Sequence, residues 1–141
     1  MLSPVDDKLA VLRRVPLFAD LDDRALQAVA VLAREAAFKT GEILTLEGET
    51  GDTFYVIVEG TVRVDRGERT IRSMTAGGFL GEIALFDRRP RTATATCVGD
   101  VRVLEIKAHE FERLLDTLPA VARRIRATVD RRQRGTNWAA D

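Results

Sequence analysis

The first 34 residues carry hydrophobic side chains at helical spacing. Leucines and valines recur three or four positions apart over residues 5–34, with Pro16 interrupting the run. Asp22 is a favourable N-cap for the second of two helices, and Leu21 and Leu26 stand at the two positions of a hydrophobic staple. The pattern therefore predicts two N-terminal helices.

From Phe38 to Ile106 the hydrophobic period becomes that of strands. Glycines punctuate this segment, and the runs between them are short, rich in β-branched residues and often alternating. Arg66–Arg69 (RGER) is typical of a hairpin turn. Short antiparallel strands at this spacing predict a sandwich, barrel or jelly roll. The runs are Ile43–Leu46, Phe54–Val58, Val62–Val64, Thr70–Met74, Thr92–Val98 and Val101–Ile106.

The helical period returns at Ala108. It predicts a short helix that stops before Pro119 and a second helix that begins there and runs to about residue 134. No repeat, low-complexity tract or linker interrupts the chain. We therefore expect one domain over residues 1–141, with a helical part at 5–34, a β-roll at 36–106 and C-terminal helices at 108–138.

Composition argues against several classes of protein. The 141 residues include 22 Lys plus Arg and 22 Asp plus Glu, a balance that argues against attachment of the whole domain to nucleic acid or an anionic membrane. A single cysteine, Cys97, allows no internal disulfide and indicates a reducing compartment. A single histidine, His109, argues against a metal-dependent cupin enzyme, whose site needs several imidazoles. No apolar run suits a signal peptide or membrane span, so we expect a cytoplasmic location.

Residues 77–94 (GGFLGEIALFDRRPRTAT) break the strand pattern. A short helix starting near Glu82 would leave backbone N–H groups free for an anion, and Gly81 lets a ligand approach the backbone. Arg91 supplies a permanently charged planar fork for a phosphate, and Thr92 adds a hydroxyl. Because Glu82 would repel a phosphate, a ribose hydroxyl suits it better. The residues predict a site for one phosphate and one sugar hydroxyl; the alternative is a surface ion pair between Arg91 and Glu82.

Three stretches of this sequence resemble the signatures of one family. Gly81–Leu85, followed by Pro90–Thr94, resembles the phosphate-binding cassette of cyclic nucleotide-binding domains. Residues 47–64 (EGETGDTFYVIVEGTVRV) resemble the second family signature, and residues 15–21 (VPLFADL) are similar to the start of many bacterial members. The resemblance implies a mainly β fold with flanking helices. This fold is an eight-stranded antiparallel β-roll (jelly roll, double-stranded β-helix) with N-terminal helices, a cassette at 78–94 and two C-terminal helices.

The resemblance also assigns roles to single residues. Arg91 would bind the exocyclic oxygens of a cyclic phosphate, with Thr92 and the Ala93 backbone completing the contact. Glu82 and the Gly81 backbone would take the ribose 2′-hydroxyl. Asp52 matches the position that holds the phosphate arginine in place; the alternative is a simple turn residue. The other implied positions are Ile83 and Ala84 in the pocket, Val64, Ile71 and Ser73 around the base, and Thr136, Asn137 and Trp138 as a lid.

The function implied is that of a non-catalytic sensor. It would bind a cyclic purine mononucleotide, cyclic AMP in preference to cyclic GMP, without a prosthetic group or metal. Its C-terminal helices would then move and signal to an effector protein or domain, or to a second copy through the basic final helix. A DNA-reading module is not expected, since the chain ends seven residues after Arg134. The alternative is a β-roll that has lost its ligand and acts as an interaction or dimerisation module.

Overall fold

A computed structural model describes residues 4–81, 90–119, 122–123 and 126–127. Within them, three helices and six strands follow one another along the chain. They are α1 (Pro4–Arg13), α2 (Asp23–Leu32), β1 (Arg34–Phe38), β2 (Ile43–Thr45), β3 (Thr53–Arg66), β4 (Arg69–Met74), β5 (Phe79–Leu80), β6 (Thr94–Lys107) and α3 (Ala108–Thr117). Helices therefore occupy both ends of the described chain and strands its centre, as the two changes of hydrophobic period predict.

The strands pair as one antiparallel sheet. The order is β1-β6-β3-β4, with β2 also paired to β6 and β5 to β3. This confirms the mainly β class with flanking helices. The described residues hold six strands, compared with the eight expected for the whole domain. Two pairs of predicted runs are continuous in the structure. Phe54–Val58 and Val62–Val64 both belong to β3, and the runs on either side of Gly99 both belong to β6.

Glycine at position 60 explains how one long strand can follow a curved path. The register of β3 against β6 shifts between Ile57 and Glu59 and again between Glu59 and Thr61. Gly60 has φ +106°, and a Cβ added there would lie 2.5 Å from the carbonyl oxygen of Asp100. Bulges of this kind bend a strand and increase its twist. Gly60 therefore lies at a bulge inside β3, whereas the sequence predicted that a strand ends there.

Two hydrophobic clusters lie on opposite faces of the sheet. Successive side chains of a strand point to opposite faces, so Phe54 and Val56 of β3 pack towards the helices while Ile57 packs inside the roll. The helix-side cluster also contains Phe18, Leu26 and Phe111. The roll interior holds Leu44, Ile57, Val62, Val64, Met74, Leu80, Ala93, Ala95, Cys97, Val101 and Val103. Cys97 is thus a buried core residue.

The predicted capping of α2 is confirmed. Asp22 Oδ1 accepts a hydrogen bond from the Ala25 amide at 2.8 Å, and Leu21 and Leu26 are both buried. At the other end of the chain, α3 begins at Ala108, whose amide donates to the carbonyl of Asp52 at 2.8 Å. Beyond the end of α3, the amide of Ala122 donates to the Leu118 carbonyl at 3.0 Å. Most of the predicted second C-terminal helix lies outside the described residues.

Phe54 of β3 belongs to the cluster between the sheet and the helices. Its fully buried ring lies 6.0 Å from the Phe18 ring, edge-on, and 6.1 Å from the Phe79 ring. We expect Phe54→Ala to lower the free energy of unfolding by about 3–5 kcal/mol, since it opens a cavity between sheet and helices. Val31→Ala on the exposed side of α2 is the control and should change it by less than about 0.5 kcal/mol. Chemical denaturation of both variants measures the difference, and equal effects would contradict this assignment of the core.

Candidate functional site

Arg91 is a buried cation fixed in place by its own backbone. Only 6% of the residue is exposed. Its amide donates to the carbonyl of Glu49 at 2.8 Å, and its carbonyl accepts from the amide of Gly48 at 2.8 Å. Thr50 and Pro90 form a bridge beside these bonds. These bonds therefore join the segment before β3 to the segment before β6, at the point where the Arg91 side chain turns into the interior.

The guanidinium of Arg91 is oriented by the first residue of β3. Arg91 Nη2 donates to the carbonyl oxygen of Thr53 at 2.7 Å. The hydroxyl of Thr53 donates to Asp52 Oδ1 at 3.0 Å and accepts from Lys107 Nζ at 3.0 Å. Asp52, which the resemblance assigned to holding the arginine, thus lies one residue from the carbonyl that does so. Thr53 was not singled out from the sequence, because a backbone carbonyl carries no signal in the residue type.

Two glycines leave the space that the guanidinium occupies. A Cβ added at Gly51 would overlap Arg91 Nε and Nη2, and one added at Gly81 would lie 2.5 Å from Arg91 Nη1. Gly81 also has φ +83°, a conformation that L side chains rarely adopt. Gly81 was predicted to let a ligand approach the backbone, and in the structure the arginine itself approaches it. Gly51 was treated only as the neighbour of Asp52.

A cavity of about 110 Å³ lies beside the guanidinium. It opens onto polar groups and two leucines near the start of β3, and it is lined by Leu44, Thr45, Leu46, Glu49, Thr50, Gly51, Asp52, Thr53, Tyr55 and Arg91. A larger cavity of about 370 Å³ lies elsewhere, between α1 and the sheet. The smaller one is the better candidate, because it is lined by a buried, oriented cation that suits an anionic ligand, whereas the arginines that line the larger cavity are exposed.

Tyr55 lines the cavity and interacts electrostatically with charged groups around it. Burial raises the pKa of the Tyr55 phenol, and the nearby Glu105 carboxylate raises it further. The positive charge of Arg91 acts in the opposite direction and lowers this pKa. The phenol is therefore sensitive to the charge on Arg91 and to an anion that neutralises it.

The predicted positions after Arg91 are divided between surface and core. Thr92 is exposed, and its carbonyl accepts from Arg66 Nε at 3.1 Å. Ala93 is buried, and its carbonyl accepts from the hydroxyl of Thr45 at 3.2 Å. The backbone that leads from the arginine into β6 is thus anchored on both sides.

The three positions expected around the base lie on the β3–β4 hairpin, which has the predicted two-residue turn between Arg66 and Arg69. Val64 is buried in the roll interior, and Ile71 packs against the same cluster. Ser73 is exposed and pairs with the exposed Arg63. Val64 and Ile71 therefore share the interior of the roll, whereas Ser73 lies in an exposed row.

The remaining predicted site positions lie outside the described residues. They are Glu82, Ile83, Ala84, Thr136, Asn137 and Trp138. Among the residues that the structure does describe, no cluster of histidine, cysteine or acidic side chains could hold a metal ion. No helix in that same part of the chain is long and apolar enough to cross a membrane.

Residues 35–118, which include β3, the arginine and α3, match the family model of the cyclic nucleotide-binding domain. The chain belongs to the cyclic nucleotide-binding domain family. The match covers both sides of the Arg91 site, and this family is one of regulatory, generally non-catalytic domains. The resemblance carried by the cassette and the second signature is confirmed.

Relatives of this cyclic nucleotide-binding domain occur in several kinds of larger protein. A cyclic nucleotide-gated potassium channel of Rhizobium etli is 35% identical over 121 residues, which are 86% of this chain and 34% of the channel. A CRP-like cAMP-activated global transcriptional regulator of Mycobacterium tuberculosis is 27% identical, over 90% of this chain and 59% of the regulator. This chain therefore spans between a third and three-fifths of these two relatives.

A solved structure supports the fold assignment. The N-terminal domain of a transcriptional regulator from Streptomyces coelicolor superposes with a TM-score of 0.80 at 34% identity, covering 88% of this chain and 90% of that one. The β-roll with its flanking helices is therefore the architecture of a domain that also occurs within transcription factors.

Tyr55 is the single tyrosine of the chain, so its ionisation can be followed by phenolate absorbance. We expect it to titrate above the usual value of about 10, and Arg91→Ala to raise its pKa further. Because the folded-state pKa exceeds the unfolded one, the stability from the neutral phenol is complete below about pH 10 and declines as the pH rises further. Arg102→Ala, at an exposed ion pair with Glu59, is the control. An unchanged Tyr55 pKa in Arg91→Ala would contradict the proximity of the two groups.

Gly51 should matter only because Arg91 is next to it. We expect Gly51→Ala to lower the free energy of unfolding by about 1–3 kcal/mol, since the new methyl group overlaps the guanidinium. In an Arg91→Ala background the same substitution should cost much less. A double-mutant cycle by chemical denaturation measures this coupling. Equal costs in both backgrounds would contradict the packing of the arginine against the glycine.

Proposed function

We propose that this domain is a non-catalytic sensor that binds a cyclic purine mononucleotide, with Arg91 as the phosphate-binding residue. The observation that carries the proposal is the Arg91 guanidinium itself, buried, oriented by the Thr53 carbonyl and placed at a cavity. An oriented arginine presents its donors to a phosphate as a planar fork. Membership of the family supplies the ligand class.

The other contacts of the nucleotide follow from the matching positions of the cassette. Thr92 and the Ala93 backbone complete the phosphate contact, and Glu82 with the Gly81 backbone takes the ribose 2′-hydroxyl. Ile83 and Ala84 supply backbone donors or line the pocket. Val64, Ile71 and Ser73 lie around the base, and Thr136, Asn137 and Trp138 form the lid. The burial of Val64 and the packing of Ile71 inside the roll support an apolar wall for the base.

Cyclic AMP is the favoured ligand and cyclic GMP the competitor. The cAMP-activated regulator of Mycobacterium tuberculosis, similar to this chain over 90% of its length, supports this choice. Titration with both cyclic nucleotides and with the linear 5′-monophosphates tests it. The linear compounds should bind more weakly, because they carry an additional charge and lack the closed phosphate ring.

The signal passes to the C-terminal helices by a population shift. The ligand can move them only by binding one arrangement more tightly than the other. A direct connection supports this route: the Ala108 amide at the start of α3 donates to the Asp52 carbonyl, next to the residue that holds Arg91. Asp52 keeps the arginine in place through this short segment. The recipient of the signal is an effector protein or domain, or a second copy of the chain.

Arg91→Ala tests the proposal directly. We expect cyclic AMP to bind at least about 2 kcal/mol more weakly, roughly a thirtyfold loss, because a charged bidentate contact is removed. Isothermal titration calorimetry measures the affinity. Arg91→Lys, which keeps the charge but lacks the fork, should recover part of it. Arg102→Ala, on the exposed surface, is the matched control.

Unchanged affinity in a folded Arg91→Ala protein would refute the assignment. Absence of any binding by the unmodified protein, together with a stable dimer in sedimentation, would instead favour the interaction module that the sequence left open.

A further inference from the structure

Lys107, the last residue of β6, contacts the segment that orients Arg91. Its Nζ donates to the hydroxyl of Thr53 at 3.0 Å, and this hydroxyl donates to Asp52 Oδ1 at 3.0 Å. An ammonium group can only donate and a carboxylate can only accept, so the direction of both hydrogen bonds is fixed. Lys107, Thr53 and Asp52 therefore form one polar chain that begins at a cation and ends at an anion.

The register of the sheet places Lys107 next to Thr53. The two residues are directly opposite one another at the ends of β3 and β6, and the following residue, Ala108, begins α3. Side chains of such pairs lie on the same face of the sheet. Thr53 is buried and Lys107 is half-buried. A partly desolvated ammonium group needs a polar partner, and within the described residues the Thr53 hydroxyl is the hydrogen-bond partner it has.

Asp52 lies close to two cations, Arg91 and Lys107. Asp52 and Arg91 line the same cavity, and their charges act on the pKa of the Tyr55 phenol in opposite directions. In the part of the chain that the structure describes, however, no ion pair involves Asp52, and its carboxylate accepts from Thr53. Lys107 Nζ is no more than about 6 Å from Asp52 Oδ1, close enough for the two charges to attract one another. The carboxylate is therefore bonded towards Lys107 and not towards the guanidinium.

The direction of this carboxylate matters because it resembles the ligand in its chemistry. Carboxylates and phosphates both bind a guanidinium through parallel N–H donors. If Asp52 turned towards Arg91, its carboxylate would take donors that a phosphate also needs, and the ligand would have to displace it. The Thr53 carbonyl carries no net charge, so it orients the guanidinium without cancelling its positive charge.

We propose that Lys107 is a positioning residue of the nucleotide site, an inference that rests on the proposed function. Through the Thr53 hydroxyl, it keeps the Asp52 carboxylate from competing with the phosphate for Arg91. It also fixes the side chain of the residue whose carbonyl orients the guanidinium. Lys107 thus raises the affinity for the nucleotide through Asp52 and Thr53 and not by touching the ligand.

A double-mutant cycle of Lys107→Met with Asp52→Asn tests this role, with isothermal titration calorimetry of cyclic AMP on the full chain. We expect Lys107→Met alone to weaken binding about tenfold, because the Asp52 carboxylate is released towards Arg91. In the Asp52→Asn background the competing charge is gone, so the same substitution should weaken binding less than about threefold. Lys107→Arg, which keeps a charged donor, should bind within about threefold of the unmodified protein.

Lys39→Met is the matched control, since it removes an exposed lysine between β1 and β2 and should leave the affinity unchanged. If Lys107→Met does not fold, Lys107→Gln, which keeps an N–H donor without the charge, replaces it in the cycle. Unchanged affinity in the folded Lys107 variant would overturn the role of Lys107 and leave the proposed function intact. Equal losses in both backgrounds would also overturn it, because they indicate packing alone. An unmodified protein that binds no cyclic nucleotide would overturn both proposals.

Discussion

The structure depends on keeping one permanent positive charge inside the protein. Arginine does not deprotonate under physiological conditions, and a charge removed from water is costly unless it is bonded. The chain meets this constraint with main-chain groups, by aiming the Thr53 carbonyl at Arg91 Nη2 and by keeping Gly51 and Gly81 free of side chains. The geometry around the guanidinium is therefore set by the start of β3 and the residues just before it, by Gly81 directly after β5 and by the segment before β6, and it cannot change without moving the sheet.

The same main-chain segment serves the binding site and the helix that follows the roll. Asp52 and Thr53 are consecutive, and one carbonyl accepts from Ala108 while the next accepts from Arg91. Lys107, the last residue of β6, also bonds to Thr53 through its side chain. Arg91 and the first turn of α3 are therefore connected across two peptide groups, without an intervening chain of packed side chains.

The sequence predicted the parts of the molecule that depend on local chemistry. The cap at Asp22 and the hairpin between Arg66 and Arg69 both follow from residue type and spacing. It did not predict β1, because Arg34–Phe38 (REAAF) lacks the β-branched residues of a strand and acquires its conformation by pairing with β6. The sequence also predicted two separate strands on either side of Gly60, whereas β3 continues through a bulge at this residue. Thr53 was missed for a related reason, since the partner of its carbonyl is set by the arrangement of distant segments.

The pairing of β3 with β6 limits which parts of the sequence can change during evolution. It joins Thr53–Asp65 to Thr94–Lys107 and so closes a loop that contains the hairpin and the whole cassette. The entropy of closing such a loop rises only slowly with its length, by about 0.6 kcal/mol for each doubling. Exposed residues inside the loop can therefore be added or lost at little entropic cost to folding, provided that the two strands still meet and the buried Met74, Leu80 and Arg91 are kept. Evolution can alter what the roll recognises while its scaffold stays the same.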